Sequence, residues 1–217
     1  MRQNMVKEQL SGRDIMSKDV LDVFSRVPRH KFVDPSMQKD AYGDFPLSIG
    51  RGQTISQPYM VSLMAQVLEL KKNDKILEIG TGSGYETAIL AELAGRIFSI
   101  ERIREIGLKA QEALKELGYN NIEIKIDDGT LGWEAHAPFD KIIVTASWRC
   151  MPAPLLEQLS KPGKMVMPVG LRAAQRLMLI EKDSQGRVSE KDVCGCVFVP
   201  LIGKYGWSNE DVTYGTK

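Results

Sequence analysis

Apolar side chains near the N-terminus recur every three or four positions, which is the spacing of one face of an α-helix. Val20, Phe24 and Val27 follow this spacing. Ser17 stands where a helix N-cap is expected, and Pro28 lacks the backbone N–H that a longer helix would need. The pattern therefore predicts a helix that begins after Ser17 and ends before Pro28.

The rest of the chain alternates between short apolar runs, which predict buried strands, and amphipathic segments, which predict helices. Residues 42–57 have no sustained period and are predicted to form a loop, followed by a helix over residues 58–70. The next predicted elements are strands at residues 75–79, 96–100, 122–126 and 141–145, with helices at residues 85–94 and 104–117. This alternation is typical of a mostly parallel sheet covered on both faces. Further strands at residues 164–168, 177–181 and from 188 onward are expected to end the sheet antiparallel.

The absence of internal repeats and linkers predicts one α/β domain over residues 1–217. Residues 1–57 are expected to form a helical N-terminal addition and an active-site loop, and residues 58–217 a doubly wound core. A chain of this length buries roughly 70% of its unfolded surface, so it needs no disulfide or structural metal.

Composition narrows the function classes. Lys and Arg number 29 against 28 for Asp and Glu, so a net charge of +1 gives no field that would concentrate nucleic acid or an anionic membrane. Three cysteines argue against a disulfide framework, and two histidines without partners at ligand spacing argue against a metal site. Neither a leader nor an apolar run of about 20 residues is evident. We expect a reduced, cytoplasmic monomer that binds neither nucleic acid nor membrane.

A glycine-rich turn follows the first strand of the alternating series, with Gly80, Gly82 and Gly84 at every second position. Such turns let backbone approach a ligand closely, because a Cβ would occupy the ligand's space. A tight strand-to-helix turn without a ligand fits the same pattern. The position of the turn on the first strand of the series favours the ligand site.

An acidic residue, Glu101, ends the second strand 21 positions after Gly80. A carboxylate near this spacing is placed to accept both ribose hydroxyls of an adenosine. The same position also fits a solvent-exposed carboxylate at a strand end that pairs with Arg102 or Arg104. Adenosine occurs in dinucleotides and in S-adenosyl-L-methionine. Tyr85 stands where a dinucleotide fingerprint has Gly or Ala, which disfavours a dinucleotide.

Two further segments carry candidate chemistry. Asp128, after the third strand, is placed to accept from an adenine amino group, although Asp is also a common turn residue. Thr54 and Ser56 stand in the long loop just before a helix, where Ser56 is also a candidate N-cap with Pro58 in the first turn. Because the carboxyl ends of parallel strands meet at one edge, these segments are expected to converge there.

Over nearly its whole length the chain resembles the protein-L-isoaspartate (D-aspartate) O-methyltransferases. The stretch Thr-Ile-Ser-Gln-Pro at residues 54–58 is the most specific, whereas the glycine turn and residues 99–102 are shared with many S-adenosylmethionine enzymes. Further matching stretches are Val-Pro-Arg-His-Lys-Phe-Val at 27–33, Phe-Asp-Lys-Ile-Ile-Val-Thr-Ala at 139–146, Pro-Leu-Leu-Glu-Gln-Leu at 154–159 and Phe-Val-Pro-Leu at 198–201.

The resemblance implies a Rossmann-like methyltransferase fold, S-adenosyl-L-methionine as donor, and the free carboxyl of L-isoaspartyl residues in damaged peptides and proteins as acceptor. It implies Ser56 as the active-site residue, and we assign Thr54 beside it as a second hydroxyl that holds the acceptor. The residues assigned to donor binding are Glu78, Gly80, Thr81, Gly82, Ser83, Gly84, Glu101, Asp128 and Gly129. The chain departs from the family's pattern at Asp127, where Gly is usual, and at residues 147–152.

Three alternatives remain from the sequence. The first is a methyltransferase for a small molecule or a nucleic acid, although residues 145–148 lack the Asn/Asp-Pro-Pro-aromatic signature of amino-methylating nucleic-acid enzymes. The second is a dinucleotide oxidoreductase, which Tyr85 disfavours. The third is a module that binds adenosine or an isoaspartyl peptide without catalysis.

Overall fold

A seven-stranded sheet forms the centre of the molecule in the computed structural model, which describes residues 1–171 and 174–213. Its strands are β3 (Lys75–Ile79), β4 (Arg96–Glu101), β5 (Ile122–Ile126), β6 (Phe139–Val144), β7 (Leu159–Leu171), β8 (Ala174–Lys182) and β9 (Val188–Cys196). A separate two-stranded sheet consists of β1 (Leu47–Gly50) and β2 (Gln53–Ile55). The order in the large sheet is β5-β4-β3-β6-β7-β8-β9. Pairs from β5 through β7 are parallel, and β8 and β9 are added antiparallel. The predicted parallel sheet with an antiparallel end is confirmed.

Helices cover both faces of this sheet. They are α1 (Arg2–Asn4), α2 (Lys18–Arg26), α3 (Pro58–Leu68), α4 (Tyr85–Leu93), α5 (Arg104–Glu116), α6 (Ala153–Gln158) and α7 (Asn209–Thr213), and α1 continues into a π-helix over Met5–Ser11. Adjacent residues of β3 face opposite ways, so Ile76 joins the core beneath α2, α3 and α4, and Leu77 joins the core on the other face. Of the helices described, none is long and apolar enough to cross a bilayer.

The predicted N-terminal helix is confirmed as α2. The Ser17 hydroxyl accepts from Val20 N at 3.4 Å, and the helix ends at Arg26, before Pro28. Its apolar stripe places Val20 and Phe24 in the core, where both are at most 3% exposed. The apolar face, the N-cap and the proline together therefore account for where this helix begins, ends and packs.

The prediction of an irregular loop over residues 42–57 is wrong in part. β1 and β2 form a short antiparallel hairpin in which Thr54 pairs with Ser48. Arg51 at its turn donates to Glu105 on α5, with 2.8 Å between Arg51 Nε and Glu105 Oε2. Strands of three and four residues with a single buried position, Ile55, are too short to show a period of two. The hairpin holds the segment before α3 against the carboxyl edge of the sheet.

Candidate active site

A cavity of about 810 Å³ lies at the carboxyl ends of the parallel strands. We call it the edge cavity. Its walls come from residues 53–57, 79–83, 100–103, 145–146 and 194–202, together with Arg13, Pro46, Tyr59, Met60, Val61, Tyr85, Glu86 and Gly129. Its volume is within the range of roughly 300–1,000 Å³ that is typical of ligand pockets. The segments expected to converge at this edge therefore do so.

Among the glycines of the turn, only Gly82 opens onto free space. It adopts a φ of +54°, and a Cβ built there would contact only Ile49 Cδ1, at 3.7 Å. A Cβ at Gly80 would instead overlap Thr145 Oγ1, and one at Gly84 would contact Leu114 and Ala110 of α5 at about 3.3 Å. The predicted reason for the glycines thus applies to Gly82, whereas the other two permit close packing between elements.

Glu101 lies on the wall beside this turn and is only 7% exposed. Its Oε2 accepts from Gly82 N at 2.9 Å, and its Oε1 accepts from Ile103 N at 2.8 Å. No ion pair with Arg102 or Arg104 is formed within the described residues. A carboxylate oxygen can accept two hydrogen bonds, and each oxygen of Glu101 accepts one from the backbone, so Glu101 keeps acceptor capacity toward the cavity. Thr81, Ser83 and Gly129 lie on the wall as well.

Glu78 lies behind the wall, although it was assigned to the donor site. Its carboxyl is fully buried and accepts from Thr87 Oγ1 at 2.6 Å and from Ser99 Oγ at 2.5 Å. Burial raises the pKa of Glu78 to about 8, against the lowering effect of these two hydrogen bonds. Ser99 in turn contacts the Thr81 hydroxyl at 2.6 Å. The geometry makes Glu78 a support for the glycine turn, not a group facing the cavity.

Asp128 also has protein partners where an adenine contact was expected. Its Oδ1 accepts from Thr130 N and Oγ1 at 2.9 and 2.7 Å, and its Oδ2 accepts from Lys204 N at 2.7 Å. The carboxyl therefore connects the end of β5 to the chain segment after β9. The extra charge at Asp127 is half-exposed and pairs with Lys125 at 2.5 Å, and this ion pair lowers the pKa of Asp127.

The segment after β9, residues 197–207, closes one side of the edge cavity, and we call it the closing segment. Ser147 connects it to the end of β6, because Ser147 N donates to Val199 O and Ser147 O accepts from Leu201 N, each at 2.8 Å. Trp207 Nε1 donates to the same carbonyl at 3.0 Å, and its ring meets that of Trp148 edge to face at 4.7 Å. The stretch that departs from the family's pattern thus supports this wall.

Thr54 and Ser56 also lie on the wall of the edge cavity. Ser56 is half-buried and is not the helix cap, because Gln57 holds the N-cap position of α3. Within the part of the chain that the structure describes, the Ser56 hydroxyl has no hydrogen-bond partner. A half-buried, unpartnered hydroxyl in a cavity wall is suited to bind a ligand oxygen.

Comparison with known proteins decides the family. The family model described as protein-L-isoaspartate(D-aspartate) O-methyltransferase matches residues 1–206. The chain belongs to this family. It is 52% identical over 210 residues to protein-L-isoaspartate O-methyltransferase 2 of Geotalea uraniireducens and 51% identical to the Geobacter metallireducens enzyme, with 97% of each chain covered. The predicted family and its methyltransferase activity are confirmed.

Solved structures agree with this family assignment. A protein-L-isoaspartate O-methyltransferase, 27% identical, superposes with a TM-score of 0.85 over 95% of this chain and 67% of that one. A Plasmodium falciparum structure described as a protein-L-isoaspartate O-methyltransferase in complex with S-adenosyl-L-homocysteine is 25% identical. It superposes with a TM-score of 0.81 over 93% of this chain and 98% of that one. The Rossmann-like fold predicted from the sequence is confirmed.

The contact between Asp128 and the closing segment gives this isoaspartyl methyltransferase a testable feature. Asp128→Ala leaves three donors on Thr130 and Lys204 without an acceptor, and we expect it to lower the free energy of unfolding in urea by about 1–3 kcal/mol. Gly203→Ala should lower it similarly, because the added Cβ would overlap Asp128 Oδ1. Lys204→Ala keeps its backbone N–H and serves as the control.

Donor affinity distinguishes anchoring from a direct adenine contact. Trp207→Leu removes the contacts of the closing segment with Ser147 O and the Trp148 ring and does not touch the Asp128 carboxyl, so anchoring predicts that it also weakens binding of S-adenosyl-L-homocysteine. Normal affinity in the tryptophan variant, together with lost affinity in the aspartate variant, would show a direct contact instead.

The role of the closing segment in this methyltransferase, and the side chains that hold it, were not predicted from the sequence. Gln175 on β8 accepts from Phe198 N at 2.7 Å and donates to Phe198 O at 3.1 Å, so one amide fixes the segment at its start. Arg149 lies 4.6 Å from the Trp207 ring centre at its end. The family-like stretch Phe-Val-Pro-Leu at 198–201 was visible in the sequence, but Gln175 and Ser147, which hold it against the sheet, are more than 20 residues away along the chain.

Proposed function

We propose that the edge cavity transfers a methyl group from S-adenosyl-L-methionine to the free carboxyl of L-isoaspartyl residues in damaged peptides and proteins, with Ser56 and Thr54 binding the acceptor. The observation that supports this assignment is the unpartnered Ser56 hydroxyl, which lies in the same cavity as the acidic strand end Glu101. A donor site and an acceptor-binding group thus share one enclosure.

The described residues fit the donor. Gly82 leaves the space that a Cβ would fill, and Glu101 has the acceptor capacity that a ribose diol needs. The donor would supply an electrophilic methyl group carried on a sulfonium. Glu101 would bind the ribose, and residues 81–83 and Gly129 would contact the rest of the nucleoside from the wall.

The acceptor needs positioning more than activation. A carboxylic acid with an ordinary pKa near 4 is ionised at neutral pH, so no general base is needed to generate the nucleophile. The hydroxyls of Ser56 and Thr54 would donate to one oxygen of the acceptor carboxylate and leave the other free to react. Alignment of this kind supplies roughly 7–11 kcal/mol in favourable cases.

Repair follows from the ester's chemistry. The methyl ester carries a better leaving group than the carboxylate. The next backbone nitrogen of the peptide attacks the ester carbonyl, loses its proton and expels methanol, and a succinimide forms. Hydrolysis of the succinimide returns part of the material to normal aspartate. Neither step requires a residue of this chain.

The proposal predicts a selective methylation pattern. The full chain, incubated with methyl-labelled S-adenosyl-L-methionine, should label an isoaspartyl peptide and leave its aspartyl counterpart unlabelled. RNA and a small free carboxylic acid serve as further acceptors. Label in RNA or in the small acid but not in the isoaspartyl peptide would overturn the acceptor assignment.

A further inference from the structure

A second carboxyl, that of Glu86, lies on the wall of the edge cavity and has no assigned role. Glu86 stands in the first turn of α4, directly after the glycine turn, and is 7% exposed. Its Oε1 is fully buried without a hydrogen-bond partner, and Oε2 has none within the described residues. Burial of a polar group without a hydrogen-bond partner costs free energy, so an unpaired carboxyl oxygen on a cavity wall indicates a contact with a ligand.

The surroundings of Glu86 contain no cation that would neutralise an ionised carboxylate. No ion pair reaches it in the part of the chain described, and the titratable neighbour that acts on it is another carboxyl, Glu78. The buried cation Arg29 contacts the adjacent residue instead, since it lies over the Tyr85 ring at 4.9 Å and donates to Ala41 O at 2.7 Å. Burial, and then the neighbouring Glu78 carboxyl, raise the pKa of Glu86 well above its ordinary value.

The protonation state sets the hydrogen-bonding role of Glu86. The N-terminus of α4 favours a negative charge, but this effect is smaller than the cost of burying an unpaired carboxylate. Burial without a cationic partner therefore favours the protonated form of Glu86. In this form it has an O–H donor, whereas an ionised carboxylate only accepts.

We propose that Glu86 is a neutral acid that donates its O–H to a carboxylate of a ligand in the edge cavity. This inference rests on the proposed function, which brings two such carboxylates into the cavity. One is the α-carboxylate of the donor's methionyl part, and the other is the isoaspartyl carboxyl of the acceptor. Both carboxylates can accept a hydrogen bond from Glu86. Measurements of donor affinity and of peptide methylation show which of the two does so.

Two substitutions of similar size test the proposal. Glu86→Gln keeps an N–H donor without a titrating proton, so its affinity for S-adenosyl-L-homocysteine and its kcat/KM for an isoaspartyl peptide should stay within about threefold of the wild type. Glu86→Leu removes the donor and should lower one of these quantities at least about tenfold, as expected for one hydrogen bond to a charged group. Glu86→Met is a second apolar variant if the leucine protein fails to fold, and thermal unfolding identifies folded variants.

The pattern of losses identifies the carboxylate. A weaker calorimetric Kd for S-adenosyl-L-homocysteine points to the donor, and an unchanged Kd with a lower kcat/KM for the peptide points to the acceptor. Wild-type behaviour of the apolar variants would overturn the proposal. An equal loss in Glu86→Gln would also overturn it, because that result requires an ionised carboxylate and a cationic ligand group. If the wild type fails to methylate the peptide, the proposed function fails, but calorimetry still tests Glu86.

Discussion

Replacing Glu101 with alanine is expected to weaken the binding of S-adenosyl-L-homocysteine by roughly 10-fold to 100-fold. The substitution removes the acceptor that we propose for the ribose hydroxyls and also frees the backbone N–H groups of Gly82 and Ile103. The net loss of one hydrogen bond to a charged group, worth about 1.5–3 kcal/mol, accounts for an effect of this size. Isothermal titration calorimetry measures it directly.

The control for this prediction is Glu116→Ala, which removes an exposed carboxylate at the end of α5, remote from the cavity wall. It should leave the Kd unchanged. Because Glu101 also supports the glycine turn, thermal unfolding is measured on each variant. Unchanged affinity in a folded Glu101→Ala protein would exclude the ribose contact.

Replacing Ser56 with alanine is expected to lower kcat with an isoaspartyl peptide by roughly 10-fold to 100-fold. The Ser56 hydroxyl has no protein partner within the described residues, so its removal costs no internal hydrogen bond and acts on the bound acceptor. A lost hydrogen bond to a carboxylate gives this magnitude. The Kd for S-adenosyl-L-homocysteine should remain within about twofold, because the Ser56 hydroxyl is not among the groups assigned to donor binding.

A matched serine lies in the same hairpin. Ser48 pairs with Thr54 across β1 and β2 but is not part of the cavity wall, so Ser48→Ala should keep the wild-type kcat. Equal turnover by the Ser56 and Ser48 variants would remove Ser56 from the catalytic machinery. A loss of donor affinity in Ser56→Ala would place the hydroxyl in the donor site instead.

Elements with strong local signals were predicted well. The bounds of β3 and β5 coincide with the predicted residues 75–79 and 122–126, because short apolar runs between polar turns define both strands. The convergence of the glycine turn and Glu101 followed from topology alone, since parallel strands bring their carboxyl ends to one edge. The hydrophobic period and the order of strands and helices were therefore enough to predict which segments meet at the site.

Features that depend on distant neighbours were not predictable. Gly80 and Gly84 look alike in the sequence. Gly80 lies on the cavity wall, where an added Cβ would meet Thr145, whereas a Cβ at Gly84 would meet Leu114 of α5. Glu78 looks like a donor contact, and only the fold shows that Ser99 and Thr87 enclose it. Sequence spacing places such residues on a turn or a strand but does not say what fills the space beside them.

The order in which the chain leaves the ribosome has a consequence for the edge cavity. The closing segment contributes the last wall, and its contacts reach back to Ser147, Asp128 and Gln175, which are synthesised earlier. A nascent chain that stops before residue 197 carries the glycine turn, Glu101 and Ser56 but lacks this wall. The edge cavity is therefore enclosed only after residues 197–202 have been added to a chain that already carries its other walls.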